Sequence, residues 1–408
     1  MKARRSLPLL AAGLALGAAL WGAPRLELRA APLDATGADG GARSRADDER
    51  GGAPVVLSGG ARETPAPSVT AISPPDAATR AAIERGLAFL AAEQAAEPDG
   101  SIPSRGRRSA RLAVTALGGL AYLSAGNTLS RGPHGADLAR AVDYLLSRVD
   151  RTSTSRSRGY IGDSGDKISR MHGHGFATLA LAEAYTVSPR SERGGRLAEA
   201  LHLAVALIES TQGLEGGWYY EPTRSLEHEG SITICLVQAL RAAKGAGIGV
   251  DPQVIAKAVD YVERSQAENG GFRYALNDDK ITPALTAAAI STLNAAGRYH
   301  GPEVQQGFDY LQRELAARAT GPDRLDARGF RPSLDYPFYE RLYLAQAYWQ
   351  NPDRRVHEQW MAEERLQILR AQNDDGSWHD PHFGDAYATA INVIVLALPD
   401  QLLPILQR

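Results

Sequence analysis

Three copies of one spacing constrain this chain more than any other feature: Gln212-x-x-x-Gly216-x-Trp218, Gln266-x-x-x-Gly270-x-Phe272 and Gln372-x-x-x-Gly376-x-Trp378. A Gln, a Gly and an aromatic recurring at fixed intervals mark a repeat architecture, in which each unit buries its apolar face by packing on its neighbours. Between the copies run segments with apolar residues at helical spacing: Ile83, Leu87, Leu90; Leu138, Val142, Leu145, Val149; Leu197, Leu201, Ala204, Ile208; Ile255, Ala258, Val262; Val304, Phe308, Leu311, Leu315; and Leu366 to Leu369. Each is the face of an amphipathic helix. Asp143-Tyr144, Asp260-Tyr261 and Asp309-Tyr310 place three of these helices in register.

Each such helix is followed by a loop rich in Gly, Pro and Asp. A second helix then starts near Arg111, His174, Ser231, Thr282, Tyr339 or Ala386. These second helices are built from Ala, Ser, Thr and Leu on all sides, the composition of a helix packed against several neighbours. Gln94 and Gln372 are five intervals apart, about 56 residues per unit, which accommodates two helices and two connections. The expected fold is all-α: six helical hairpins closed into an (α/α)6 toroid with inner and outer rings, spanning residues 74–408. An open solenoid of helical pairs is the alternative. Closure is favoured because neither end carries a polar capping repeat, and the last helix is apolar through Ile391, Val393, Ile394, Val395, Leu396 and Leu398. In this scheme the Gln bonds a helix-terminal carbonyl or the next helix, the Gly stops the helix with a positive φ, and the aromatic packs across the junction.

At 408 residues, 44% apolar and with a formal charge of −2, the chain can bury a large core and has no global field for nucleic acid. Lys2, Arg4 and Arg5 precede an apolar stretch from Leu7 to Trp21, the pattern of an export signal or N-terminal anchor over residues 1–31. The body is therefore expected in the periplasm or cell envelope, or secreted, with membrane association through that segment. Residues 32–73 have almost no large apolar side chains and read as a disordered tether. Cys235 is the sole cysteine, so no internal disulfide and no cysteine-rich zinc site can form. A buried, inert thiol is the expectation for it.

The repeat motifs resemble those of squalene and oxidosqualene cyclases and of protein prenyltransferase β-subunits. A nearer likeness is to exported, planctomycete-type bacterial proteins with prenyltransferase/squalene-oxidase repeats. It is carried by the stretches 171–185 (Met171, His172, His174, Glu183 and Tyr185), 216–222 (Gly216, Trp218, Glu221 and Pro222), and 387–408, from Tyr387 and Ala390 to Leu403 and Arg408. The resemblance implies a toroid with a central cavity, and it assigns no activity by itself.

The chemistry of those families does not carry over residue by residue. An Asp-x-Asp-Asp acid is missing, since Arg45, Leu276 and Gln372 stand two residues before the Asp pairs at 47–48, 278–279 and 374–375. An Asp-Asp-x-x-Asp magnesium site fails at Gly51, Thr282 and Trp378. The zinc carboxylate two residues before the cysteine is replaced by Thr233. No metal and no cofactor are expected, and whether the chain is an enzyme stays open.

The candidate acid/base residues are His174, Glu229 and Asp385, each placed near the start of an inner helix; the plainer reading of the two carboxylates is helix capping. Candidate ligand-binding residues are Arg107, Arg108 and Arg111 on the first outer-to-inner loop, and Arg158 and Arg170 on the second. In a toroid these form a basic rim at one end. Tyr339 and Tyr343 belong to an aromatic-dense segment suited to stacking on an isoprenoid or a sugar. The leading functional expectation is an exported toroid that binds an isoprenoid-like or other elongated ligand with an anionic end. The alternatives are a divergent terpenoid cyclase or prenyltransferase, a carbohydrate-active enzyme using Glu229 and Asp385, and a cell-envelope interaction scaffold with a filled centre.

Overall fold

The amphipathic segments and the small-residue segments alternate as outer and inner helices. The computed structural model describes residues 74–167, 170–320 and 336–407. The expected leader (1–31) and tether (32–73) lie outside the described residues. In chain order the helices are α1 (Ala77–Ala95), α2 (Arg111–Ser124), α3 (Gly135–Ser147), α4 (Arg170–Val187), α5 (Gly194–Thr211) and α6 (Gly230–Gly245). They continue with α7 (Pro252–Arg264), α8 (Pro283–Ala295), α9 (Pro302–Thr320), α10 (Pro337–Trp349), α11 (Arg354–Arg370) and α12 (Asp385–Ala397). Odd-numbered helices are outer and even-numbered ones inner. Several starts are set by local chemistry: Asp251 and Thr282 cap α7 and α8 with Pro in the first turn, and Asp76 and Asp353 cap α1 and α11.

Burial separates the two rings. Every residue of α12 from Ala386 to Ala397 is buried, whereas α11 buries only His357, Met361 and Ile368. The inner helices pack in the order α2–α4–α6–α8–α10–α12, and α12 packs back on α2. The last outer helix, α11, meets the first, α1. The chain is thus a closed (α/α)6 toroid, and the open solenoid is excluded.

The repeated glutamine performs the closure. The amide of Gln212 donates both hydrogens, to Gly216 O at 2.9 Å and to Val254 O in the next outer helix at 2.8 Å. Gln266 does the same to Gly270 O and Glu303 O, and Gln94 to Gly100 O and Asp137 O. Gln372 completes the set across the seam, bonding Gly376 O and, back in α1, Ala82 O, each at 2.9 Å. The glycine has a different role from the one expected. Gln212 itself is the C-cap of α5; Gly216 lies four residues on, at φ 95°, with its α-carbon against the Lys257 carbonyl of α7 where a Cβ would collide. Gly376 makes the same approach to Arg85 O in α1. The aromatic packs as expected: Trp218 Nε1 donates to Ile208 O and Trp378 Nε1 to Ile368 O, both at 2.8 Å.

Contacts also cross the ring, which corrects the expected open hollow. Gln238 of α6 donates to Gln346 of α10 at 2.6 Å, past the intervening α8. At the C-terminal ends of the inner helices, the turn Pro404–Leu406 packs on α4 and α6. Trp349 Nε1 donates to Leu406 O, and Glu183 accepts from Ile405 N at 3.4 Å. The expected cavity is therefore restricted to the other end, where the inner helices begin.

Two measurements test this framework. Gln372→Ala should lower the unfolding free energy by roughly 2 kcal/mol, as Gln212→Ala should, because each leaves the loop glycine carbonyl unpaired and removes the bond to the next outer helix; in an open stack the seam variant would lose the local bond alone and be the milder of the two. Burial without a cation lifts the Glu183 carboxyl from its ordinary 4.5 to about 8. The folded state then binds the extra proton between those values, so stability is highest at the acid side and falls as pH rises from 4.5 to about 8. Glu183→Gln should remove that slope, which reaches at most about 1.4 kcal/mol per pH unit, in urea titrations across the window.

Candidate functional site

Among the described residues the outer-to-inner loops emerge at one end, and backbone bonds tie neighbouring units there: Met171 N to Tyr220 O, Gly230 N to Tyr274 O, and Arg108 N to His382 O. The inner helices therefore direct their N-termini, with their positive dipole ends, toward the same mouth.

The floor of this mouth is a polar cluster drawn from three inner helices. Ser231 Oγ of α6 lies 3.1 Å from His172 Nε2 of α4 and 2.7 Å from Glu229 Oε2. Tyr339 of α10 meets the His172 ring edge-on at 6.2 Å and packs against Tyr343 at 4.6 Å. The hydroxyls of Tyr339 and Tyr343 are shut off from solvent and have no hydrogen-bond partner among the described residues. His172, Ser231 and Tyr339 keep part of their surface, whereas Tyr343 and Glu229 keep none. Burial pulls His172 down to about 4, pushes Glu229 up, and holds both tyrosines well above the usual phenol range.

A second feature lies at the seam between the sixth and first units: a cleft of about 620 Å³ lined by Phe89, Glu93, Arg105, Arg107, His379 and Asp385, among others. His379 Nδ1 is 2.9 Å from Asp385 Oδ1, and Arg105 pairs with Glu93 at 3.0 Å. Arg107 lines the same cleft and has no ion pair among the described residues. Aromatic rings pack beside the cleft: Phe383 stacks on Tyr336 and touches Tyr387 at 5.0 Å, and Tyr387 meets Phe338 edge-on.

The structure separates the three expected acid/base residues. Glu229 is the N-cap of α6, its carboxylate taken by Ser231 N, Ile232 N and Ser231 Oγ. Asp385 is not its equivalent: Gly384 is the N-cap of α12, and Asp385 faces the cleft with His379. His174 is not at a loop end but inside α4, which starts at Arg170. It is fully buried, its Nδ1 accepting the Ile161 N–H at 3.1 Å, with its ring against Tyr160. The same place in other units is a threonine accepting the loop N–H: Thr115 from Ile102, Thr233 from Trp218, Thr286 from Phe272 and Thr389 from Trp378. His174 is thus the repeat's threonine in imidazole form, and it is His172 that reaches Ser231.

The expected basic rim is ion-paired only in part. Arg111 lies near Glu97 and Asp99, Arg170 pairs with Glu221 at 3.0 Å, and Arg108 bonds and covers Tyr336. Arg158 is exposed on its loop, and with Arg107 it is without an ion pair among the described residues. Tyr339 and Tyr343 pack on each other, with Tyr339 against His172 of α4. Among the described residues no three His, Cys, Asp or Glu side chains are placed to hold a metal, and no helix is long and apolar enough to cross a membrane. Cys235 is buried, and burial pushes its thiol up.

This geometry is that of an (α/α)6 toroid, a fold shared by terpene cyclases and carbohydrate-active enzymes. Among solved structures, the type II terpene cyclase MstE from Scytonema, held with geranylgeranyl dihydroxybenzoate, is similar at TM-score 0.52 and 15% identity over 80% of this chain and 98% of that one. Cellobiose 2-epimerase from Bacillus thermoamylovorans is similar at 0.57 and 13% identity, over 79% and 98%. An α-1,6-mannanase of Salegentibacter is similar at 0.55 and 10% identity, over 79% and 99%. At these identities the likeness is one of fold. No protein-family profile and no curated protein matches the sequence.

His174→Ala should lower stability by roughly 1–3 kcal/mol, since the Ile161 N–H is left buried and unpaired; thermal unfolding measures this.

Proposed function

We propose that this toroid binds an elongated, amphipathic ligand at the mouth of the inner ring, with its anionic end at the seam cleft and its apolar part toward the axis. The seam cleft carries this reading: Arg107, without an ion pair among the described residues, lines it, and the rings of Phe383, Tyr336, Tyr387 and Phe338 pack on one another beside it. Arg107 offers a fork for phosphate or carboxylate, and the converging helix N-termini favour the same charge. The cross-axis bond between Gln238 and Gln346 bounds the depth available, so the ligand lies along the rim more than down the axis. The leader-like N-terminal segment supports a place outside the cytoplasm, which cell fractionation with an antibody to the body tests.

Thermal shift and calorimetry with a panel of prenyl phosphates, fatty acyl phosphates and sugar phosphates test the binding. A ligand with both a chain and an anionic end should stabilise the protein, and Arg107→Ala should weaken it about tenfold, the loss of one charge-assisted contact of ~1.5 kcal/mol. Binding of sugar phosphates alone, or equal affinity in Arg107→Ala, would reject the arrangement.

A further inference from the structure

The floor of the mouth holds a set of groups that binding alone does not require. Ser231 is half-buried at the second position of α6, with Oγ 3.1 Å from His172 Nε2. On α10, the Tyr339 hydroxyl is enclosed and has no hydrogen-bond partner among the described residues. A buried hydroxyl left without a partner is costly unless a ligand oxygen completes it.

We propose that Ser231 is an acyl-accepting nucleophile, with His172 as its base and the Tyr339 hydroxyl as donor to the oxyanion, so that the axial floor hydrolyses esters. The arrangement meets the geometric requirements of nucleophilic catalysis: nucleophile and base within hydrogen-bond reach, and a free donor on the facing wall. Burial keeps His172 neutral at pH 7, the form that can take a proton. The polar groups facing it are Ser231, Glu229 through Ser231, and Tyr339. Glu229 holds the first-turn N–H groups of Ser231 and Ile232 and is a positioning residue.

In the first step the Ser231 hydroxyl, which donates to Glu229 in the resting site, turns to His172 Nε2; Oγ bonds to the ester carbonyl carbon as its proton passes to His172 Nε2, and Tyr339 donates to the carbonyl oxygen. The carbon–oxygen bond to the alcohol then breaks, and His172 returns the proton to the departing alkoxide. Water adds to the acyl-serine, giving its proton to His172. The carboxylic acid leaves and Ser231 is restored. The substrate class is an ester whose acyl group is apolar and lies on the axial floor, and whose alcohol carries an anionic group toward Arg107.

This inference rests on the mouth being a ligand site, and the experiment separates the two. The full chain is treated with an alkyl fluorophosphonate and examined by intact and peptide mass spectrometry. One adduct per chain on Ser231 is expected, absent in Ser231→Ala, at least about tenfold slower in His172→Gln and slowed in Tyr339→Phe, within the range that loss of a base or an oxyanion donor produces. Circular dichroism confirms that each variant is folded. Hydrolysis of p-nitrophenyl butyrate should fall in the same order. Protein that binds an anionic amphiphile yet gives no adduct on Ser231 would overturn the nucleophile and leave the binding site standing. An adduct formed equally fast in His172→Gln would overturn the assigned base. Absence of both adduct and ligand binding would reject the site altogether.

Discussion

The structure depends on one amide group used four times. A glutamine side chain has two donor hydrogens, and in this toroid one goes to a loop carbonyl and the other to a carbonyl of the next outer helix. One fixes the turn that leaves the outer helix; the other fixes the neighbouring outer helix against that turn. The glycine carbonyl would otherwise be buried without a donor, so the residue type is set by counting hydrogens. Asparagine would carry the same group on a shorter stem, and glutamate would offer no donor. The positive-φ glycine then lets the backbones approach, and the aromatic seals the joint from inside.

Much of this was legible in the chain because repeats announce themselves by spacing. The three full motifs, the amphipathic faces and the small-residue helices led to the closed ring without reference to coordinates. The first unit departs in spacing, with Gly100 six residues after Gln94, yet Gln94 makes both bonds. The second unit hid its membership more deeply. Its loop is longer, it lacks the glutamine, and Gly159-x-Ile161 followed by His174 takes the place of Gly-x-aromatic followed by Thr. The signal that would have revealed His174 as structural was there: Thr115, Thr233, Thr286 and Thr389 recur near the starts of the inner helices. Read as a set, they make the histidine the odd member of a structural series.

The mouth was harder to read because its chemistry is pairwise and long-range. Arginine clusters on two loops suggested a basic rim, but Arg111 lies near Glu97 and Asp99, Arg151 near Glu199, and Arg170 pairs with Glu221. A sequence shows charges of one sign gathering and does not show what folds against them. The Glu229–Ser231–His172–Tyr339 cluster spans α6, α4 and α10, so no local spacing predicts it. What the sequence did fix is the end at which such groups must meet, because hairpins that all turn the same way place every inner N-terminus together.

The seam has a further consequence. Ala82 receives its donor from a residue 290 positions away, by the same bond that neighbouring units exchange locally. Chemically, the joint between the sixth unit and the first is one more internal junction. A chain whose ends were linked and which was reopened between any two other units would meet the same contacts in rotated order. Circular permutation is therefore compatible with this architecture. Its cost would be kinetic, through which pair of helices must wait longest to find each other, and the final inventory of bonds would be unchanged.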